Sequence, residues 1–288
     1  MTTQQLTPGP DAPGHDAPGH ATADPSAPGT PTPGATAPGT STPGAIAPPT
    51  STPGATALDP SSAPLSSTDR TTPTRGRNRQ VDERDRLMAL LSDALIVHLG
   101  VVAGVHPVVL PTAFGVDPAG PDDGGTLYLH GSVAAGWLAP ALEQDVCVTV
   151  TELDGLVLAR TGFHHSMNYR SAVVIGRPRR VADPEERRRA LDLIVDHMVP
   201  GRAATLRPAT RKELAATVVI ALPLAEASMK QRAGGATLEP GDLELDGWAG
   251  VVPVRRTASA PVTEDYVADP VPELVLRRAA GLGGDGGR

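Results

Sequence analysis

Nine consecutive residues, Phe163-His164-His165-Ser166-Met167-Asn168-Tyr169-Arg170-Ser171, bring together two imidazoles, two serine hydroxyls, an amide, a phenol and a guanidinium. A turn that only reverses the chain needs Gly, Asn or Asp, whereas this inventory suits ligand binding and proton transfer. His164 and His165 are the candidate proton donors, because an imidazole titrates near neutral pH. Ser166, Asn168, Tyr169, Arg170 and Ser171 are the candidate contacts to a ligand. A second set is Leu127-Tyr128-Leu129-His130-Gly131-Ser132, where an apolar strand ends in Gly-Ser before a helical stretch. Free backbone N–H groups and a hydroxyl at such a point suit a phosphate. A plain Ser N-cap accounts for the same residues, and on their own it is the simpler reading.

Other chemistries find little support. No Walker sequence and no G-x-G-x-x-G follows a strand. Adjacent residues of an extended chain point to opposite faces, so His164 and His165 do not share one ion, and no H-x-x-x-H spacing occurs. A single histidine as an axial haem ligand requires no spacing pattern and stays open. For a serine hydrolase, Ser132 lacks the G-x-S-x-G elbow and Ser166 follows no strand-to-helix turn. Cys147 is the only cysteine, which excludes an intrachain disulfide and a cysteine-based zinc site. Within Val146-Cys147-Val148 it reads as a small buried apolar residue.

The elements that position these residues can be read from period and punctuation. Helical spacing runs through Asp82–Leu95, and β-rich runs follow at Ile96–Val102 and Val105–Phe114, joined by Ala103-Gly104. Pro107 and Pro111 mark the second run as an edge, a bulge or a place where backbone faces ligand. Thr126–His130 is the next strand and Val133–Leu142 a short helical piece. Val146–Leu153 and Leu156–Phe163 are expected to form a hairpin turning at Asp154-Gly155. Ser171–Val181 follows as a strand. Asp183-Pro184-Glu185-Glu186 starts a helix that runs to Met198, and Thr210–Glu213 fits a capping box. Val218–Leu224 reads as a strand, Ala225–Arg232 as a short helix and Trp248–Val254 as the last strand. Many strands in meander order with few helices predict a mainly β (α+β) fold, a closed or half-closed barrel with peripheral helices.

Composition divides the chain. Residues 1–74 are rich in Pro, Gly, Ala, Thr and Ser and hold more than half of the 31 prolines, while Phe114 is the first aromatic residue. Such a segment has too little apolar surface to offset its chain entropy, so a disordered tail is expected. Residues 75–261 are the expected folded domain, and 262–288 a flexible, Gly-rich C-terminal tail. A net charge of −7 does not favour nucleic acid as a partner. No apolar run reaches the roughly 20 residues of a membrane span, and Met1–Leu6 has no signal-peptide character, so a cytoplasmic protein away from membranes is expected.

Leu127–Ser132, Asp154–Arg160, Phe163–Ser171 and Pro223–Lys230 together resemble the pyridoxamine 5′-phosphate oxidase-like flavin-nucleotide-binding proteins, in the branch related to nitroimidazole-resistance reductases. The resemblance spans residues 75–261. It implies an FMN-binding split β-barrel that forms a homodimer and acts as an oxidoreductase on a small-molecule substrate, with haem or a deazaflavin as the alternative cofactors. The flavin ring would lie along Val109, Leu110, Pro111 and Thr112, and the phosphate near His130, Gly131 and Ser132. Ser166, Asn168, Tyr169, Arg170 and Ser171 would complete the pocket, with Lys230 and Trp248 as further contributors. Relatives carry a basic residue soon after His-Gly-Ser, where this chain has Val133–Trp137, which leaves three alternatives: Arg170 or one of Arg75, Arg77 and Arg79 substitutes, FMN binds weakly, or the ligand differs. A non-catalytic flavin or haem carrier, tethered to a partner by its tail, is the alternative function.

Overall fold

The computed structural model describes residues 64, 65 and 68–283. A short strand, β1 (Gln80–Val81), precedes helix α1 (Arg84–Asp93), which buries Leu87, Leu90 and Leu91. β2 (Val97–Ala103) turns through Gly104, at φ 65°, into β3 (His106–Thr112). β4 (Phe114–Asp117), β5 (Thr126–Ser132), α2 (Leu138–Glu143), β6 (Val146–Leu158) and β7 (Ser166–Gly176) follow. Then come β8 (Arg179–Arg180), α3 (Pro184–Met198), α4 (Arg211–Ala216), β9 (Thr217–Pro223), β10 (Ala227–Arg232), β11 (Gly250–Pro253) and α5 (Glu273–Gly283).

All strand pairs are antiparallel. The larger sheet runs β1-β10-β7-β6-β2-β3, with β11 beside the far half of β6, and the smaller sheet runs β4-β5-β9-β8. Their facing sides close over one aliphatic core that includes Leu87, Leu99, Leu127, Leu129, Val148, Val174, Ile220 and Leu222. A second cluster, Tyr128, Ala190, Ile194, Val219 and Ala221, packs α3 on the other side of the smaller sheet. Two sheets around one core, with helices outside, make the mainly β split barrel that the strand pattern predicts.

The local signals hold where they are strongest. Asp183 caps α3 by accepting from the Glu186 N–H at 2.7 Å, and Thr210 and Glu213 form the expected capping box of α4. Five readings differ. β6 does not turn at Asp154-Gly155: it continues to Leu158 through a bulge, and the chain reverses at a 3-10 turn over Gly162–His164. Gly155 lacks the positive φ of a two-residue hairpin turn and instead makes room for β11, since a Cβ there would meet Val251 Cγ1 at 3.1 Å. β7 accordingly begins at Ser166, five residues before the expected strand. The helical piece after Ser132 starts only at Leu138.

Residues 225–232 do not form a helix but supply β10, with Ala227 and Met229 buried and Ser228 and Lys230 on the opposite face. Helix-forming residue types are overruled there by pairing with β7. Beyond residue 261, where a flexible end is expected, α5 forms, and Arg278 donates to the carbonyls of His197 and Met198. The N-terminal tail expected over residues 1–74 lies mostly outside the described residues. Its last part is tied to the domain: Leu65 is buried, and Arg70 pairs with Asp145 and Glu226.

Candidate flavin site

Register sorts the candidate residues onto faces. Leu99, Val108, Val148, Val174 and Ala227 point into the core, so their neighbours along each strand point out. One outward row crosses five strands as Pro111, His98, Thr149, Val173 and Ser228. A second contains Val109, Gly100, Cys147 and Ile175, and a third contains Thr151, Ser171 and Lys230. Val109, Pro111, Tyr169, Ser171 and Lys230 therefore share the outer face of the larger sheet. Leu110, Thr112, Ser166, Asn168 and Arg170 occupy the alternate positions and face the other way. Burial pushes the Cys147 thiol up, which fits a packing residue.

Arg170 is fully engaged. It donates to Asp154 through Nε at 3.1 Å and Nη2 at 3.0 Å, and to Asp93 at 2.8 Å. Asp154 and then Asp93 hold its guanidinium well above its ordinary range, against the opposing effect of burial. The residue links β7, the β6 bulge and the end of α1, and its charge is already matched. Asn168 accepts from Arg232 at 2.6 Å and donates to the Gly234 carbonyl at 3.1 Å.

His130, Gly131 and Ser132 lie on the smaller sheet. The N–H groups that follow them are satisfied within the chain: Val133 donates to the Ala216 carbonyl, Ala134 to Ser132 Oγ at 3.2 Å, and Ala135 to the Ser132 carbonyl. Gly131 leaves space for the Trp137 ring, whose nearest atom would lie 2.6 Å from an added Cβ. These contacts explain the Gly-Ser sequence by packing and remove the free donors on which the phosphate argument rests. On the outer face, Lys230 Nζ donates to the Arg75 carbonyl at 3.2 Å and forms no ion pair with a carboxylate among the described residues. It stands opposite Ser171 on one side and pairs with Gln80 of β1, the strand that follows Arg75, Arg77 and Arg79, on the other. Reading residues 225–232 as a helix concealed this placement, although the Ala-Ser-Met-Lys alternation was a signal for it.

The histidine pair divides at the turn between β6 and β7. His164 is directed inward: its side chain is 14% exposed, and Nε2 lies 3.9 Å from Asp242 Oδ2. Phe163 meets its ring edge-on at a centroid distance of 5.2 Å. His165 is exposed, with Nδ1 3.0 Å from the Thr161 carbonyl. Arg160 binds the carbonyls of Asp242, Leu243 and Gly247, fixing the loop that ends at exposed Trp248 beside this turn.

An open cavity of about 510 Å³ lies elsewhere, over the start of α3, lined by residues that include Tyr128, Glu186, Arg188 and Arg189. Burial and the Glu186 hydrogen bond push Tyr128 up to about 12, and Arg188 and Arg189 are paired with acids. Its charges are thus internally matched. Among the described residues no group of three metal-ligating side chains occurs, and no helix is long and apolar enough to cross a membrane.

The fold is a split barrel whose larger sheet presents Val109, Pro111, Tyr169, Ser171 and Lys230 on its outer face. Residues 83–231, a little over half of the 288-residue chain, match the family described as pyridoxamine 5′-phosphate oxidase, and the chain belongs to that family. The flavocytochrome Anf3 from Azotobacter vinelandii is 33% identical, with a TM-score of 0.67 over 73% of this chain and 96% of its own. The FAD and haem binding protein from Mycobacterium smegmatis is 37% identical, with a TM-score of 0.64 over 70% of this chain and 97% of its own. No curated protein matches the sequence.

Proposed function

We propose that this protein binds a flavin nucleotide on the outer face of its larger sheet and acts as a flavin-dependent oxidoreductase on a small molecule. The observation that carries the reading is the shared placement of Val109, Pro111, Tyr169, Ser171 and Lys230 on that face. β3 is the last strand of its sheet and is interrupted by Pro107 and Pro111, so backbone groups on its open edge can face a ring system. Lys230 supplies the charge-assisted partner that a phosphate requires. When bound, the flavin carries the electron chemistry, while the chain orients the ring and limits access of water. FMN is the form implied by the resemblance, and FAD is the form named for the Mycobacterium smegmatis relative. Exposed Val102, Val109 and Leu153 on the same face suit a second copy of the chain, giving a homodimer that covers the flavin. We also assign the protein a haem, because both relatives are haem proteins by name or class. That assignment favours electron transfer between two cofactors over a non-catalytic carrier.

The test is titration of the purified full-length protein with FMN and with FAD, followed by visible absorption. Saturable binding of one of them, weakened in Lys230→Ala and Ser171→Ala, supports the site. Absence of binding to either flavin overturns it. Anaerobic reduction of the bound flavin by a nicotinamide or a reduced deazaflavin, with reoxidation by a small-molecule acceptor, separates an oxidoreductase from a carrier.

A further inference from the structure

We propose that the acidic loop between Arg256 and Arg278 docks onto the basic β1–β10 edge of a second copy of this chain. Both ends of the loop are tied at one place. Arg256 donates to the Asp93 carbonyl at 2.6 Å and to Glu152 at 2.9 Å, and Arg278 donates to the carbonyls of His197 and Met198. His197 Nε2 lies 2.6 Å from the Ala94 carbonyl, so the end of α1 adjoins the end of α3. Residues 257–271 lie between these ties. All but Pro261 and Val271 are exposed, and none forms a hydrogen bond with the rest of the domain. A chain that leaves and returns at one point without bonding to its own domain is a projecting loop. Its tip is a turn in which the Val267 N–H donates to the Glu264 carbonyl at 3.0 Å, with Asp265 and Tyr266 at the corners. Tyr266 is 85% exposed. The loop carries Glu264, Asp265 and Asp269 and no cation. Carboxylates beside an exposed tyrosine suit guanidinium groups, through charge-assisted hydrogen bonds and through stacking.

The same chain carries the complementary surface. Arg75, Arg77 and Arg79 lead into β1, Lys230 and Arg232 lie on β10 beside it, and Arg86 of α1 donates to Gln231 of β10. Where these six cations have partners, the partners are carbonyl or amide oxygens. None forms an ion pair with a carboxylate among the described residues, although Asp82, Glu83 and Asp85 are near in sequence. The contrast with other arginines is sharp: Arg70, Arg170, Arg179, Arg189 and Arg256 all meet acids. In a chain of net charge −7, a cluster of unmatched cations selects an acidic partner. Glu264, Asp265 and Asp269 are likewise without an ion pair in their own domain. Exchange of the loop between two copies matches both loops with both edges in one closed, two-fold arrangement. The inference does not depend on a flavin or on pairing of the outer sheet faces.

The experiment uses the full-length chain carrying Arg77→Lys and Arg79→Lys, which keep the charge and add amines. Unlabelled and heavy-nitrogen-labelled protein are mixed in equal parts, coupled with a carbodiimide and digested for mass spectrometry. Amide links from the introduced amines to Glu264, Asp265 or Asp269 are expected, and they should join light peptides to heavy ones. Links confined to peptides of one isotope would show the loop folding back on its own domain and overturn the proposal, as would the absence of links. Adding Glu264→Arg and Asp265→Arg, both at exposed positions, is expected to lower the yield of the remaining Asp269 link several-fold while circular dichroism stays wild type. An unchanged yield would mean that another interface brings the segments together, and it would overturn the charge pairing.

Discussion

In the half of the β6–β7 pair that belongs to the barrel, the inward positions are Val146, Val148, Val150, Ala172 and Val174, each 3% exposed or less. In the far half, the same inward series carries Glu152, Arg170, Asn168 and Ser166 with one buried apolar residue, Val157, while the outward series carries Leu153, Leu156 and Met167. The alternation continues across the bulge, but the inward series becomes mostly polar and the outward series gains exposed apolar side chains. The cause is the change of neighbour: β6 pairs with β2 over Cys147–Thr149 and with β11 over Gly155–Leu158. β2 brings the core with it, whereas β11 contributes four residues, none of which belongs to that core. Apolar side chains in the barrel half serve folding, whereas Leu153, Leu156 and Met167 in the far half stay exposed.

The sharpest way to break this comparison is to truncate one leucine of β2, which packs on the barrel half, and one leucine of the far half. Leu99→Ala, at a position with no exposure, is expected to cost about 2–5 kcal/mol in denaturant unfolding. Leu156→Ala is expected to stay within about 0.5 kcal/mol of wild type. Equal losses would mean that the far half is part of the folding core. A smaller effect is expected at the polar interior of the far half. Arg170→Ala removes the hydrogen bonds from its guanidinium to Asp93 and Asp154 and is expected to cost roughly 1.5–3 kcal/mol. Adding Asp154→Ala should recover part of that loss, and strict additivity in the double-mutant cycle would argue against a working pair.

The smallest expected effect concerns pH. His197 packs against Phe114 at a centroid distance of 4.1 Å, and its Nε2 donates to the Ala94 carbonyl at 2.6 Å. Burial, with Arg278 nearby, holds it below its ordinary value of 6.5 despite that hydrogen bond. The unfolded chain therefore binds a proton before the folded one does as pH falls. The contribution of His197 is complete above about pH 6.5 and is lost as pH drops toward the depressed folded value. Denaturant midpoints measured at pH 5 and pH 7.5 should differ less in His197→Gln than in wild type. His165→Ala, at an exposed position of the far half, should leave that difference unchanged.

Much of the molecule was determined by the sequence alone, where the signal is local. The cap at Asp183, the capping box at Thr210, the Gly104 turn and the inward–outward alternation of each strand depend on residues within a few positions of one another. The family motif around Phe163–Ser171 was legible for the same reason. Tertiary structure decided what depends on distant partners. Residues 225–232 became a strand because β7 offered an edge, Asp154-Gly155 became a bulge because β11 packs there, and α5 formed where Arg278 reaches the end of α3. It also decided that two acids claim Arg170, that Lys230 stands opposite Ser171, and that His164 turns inward while His165 stays out. Short-range periodicity sets which face a side chain takes; only the pairing of distant segments sets what that face meets.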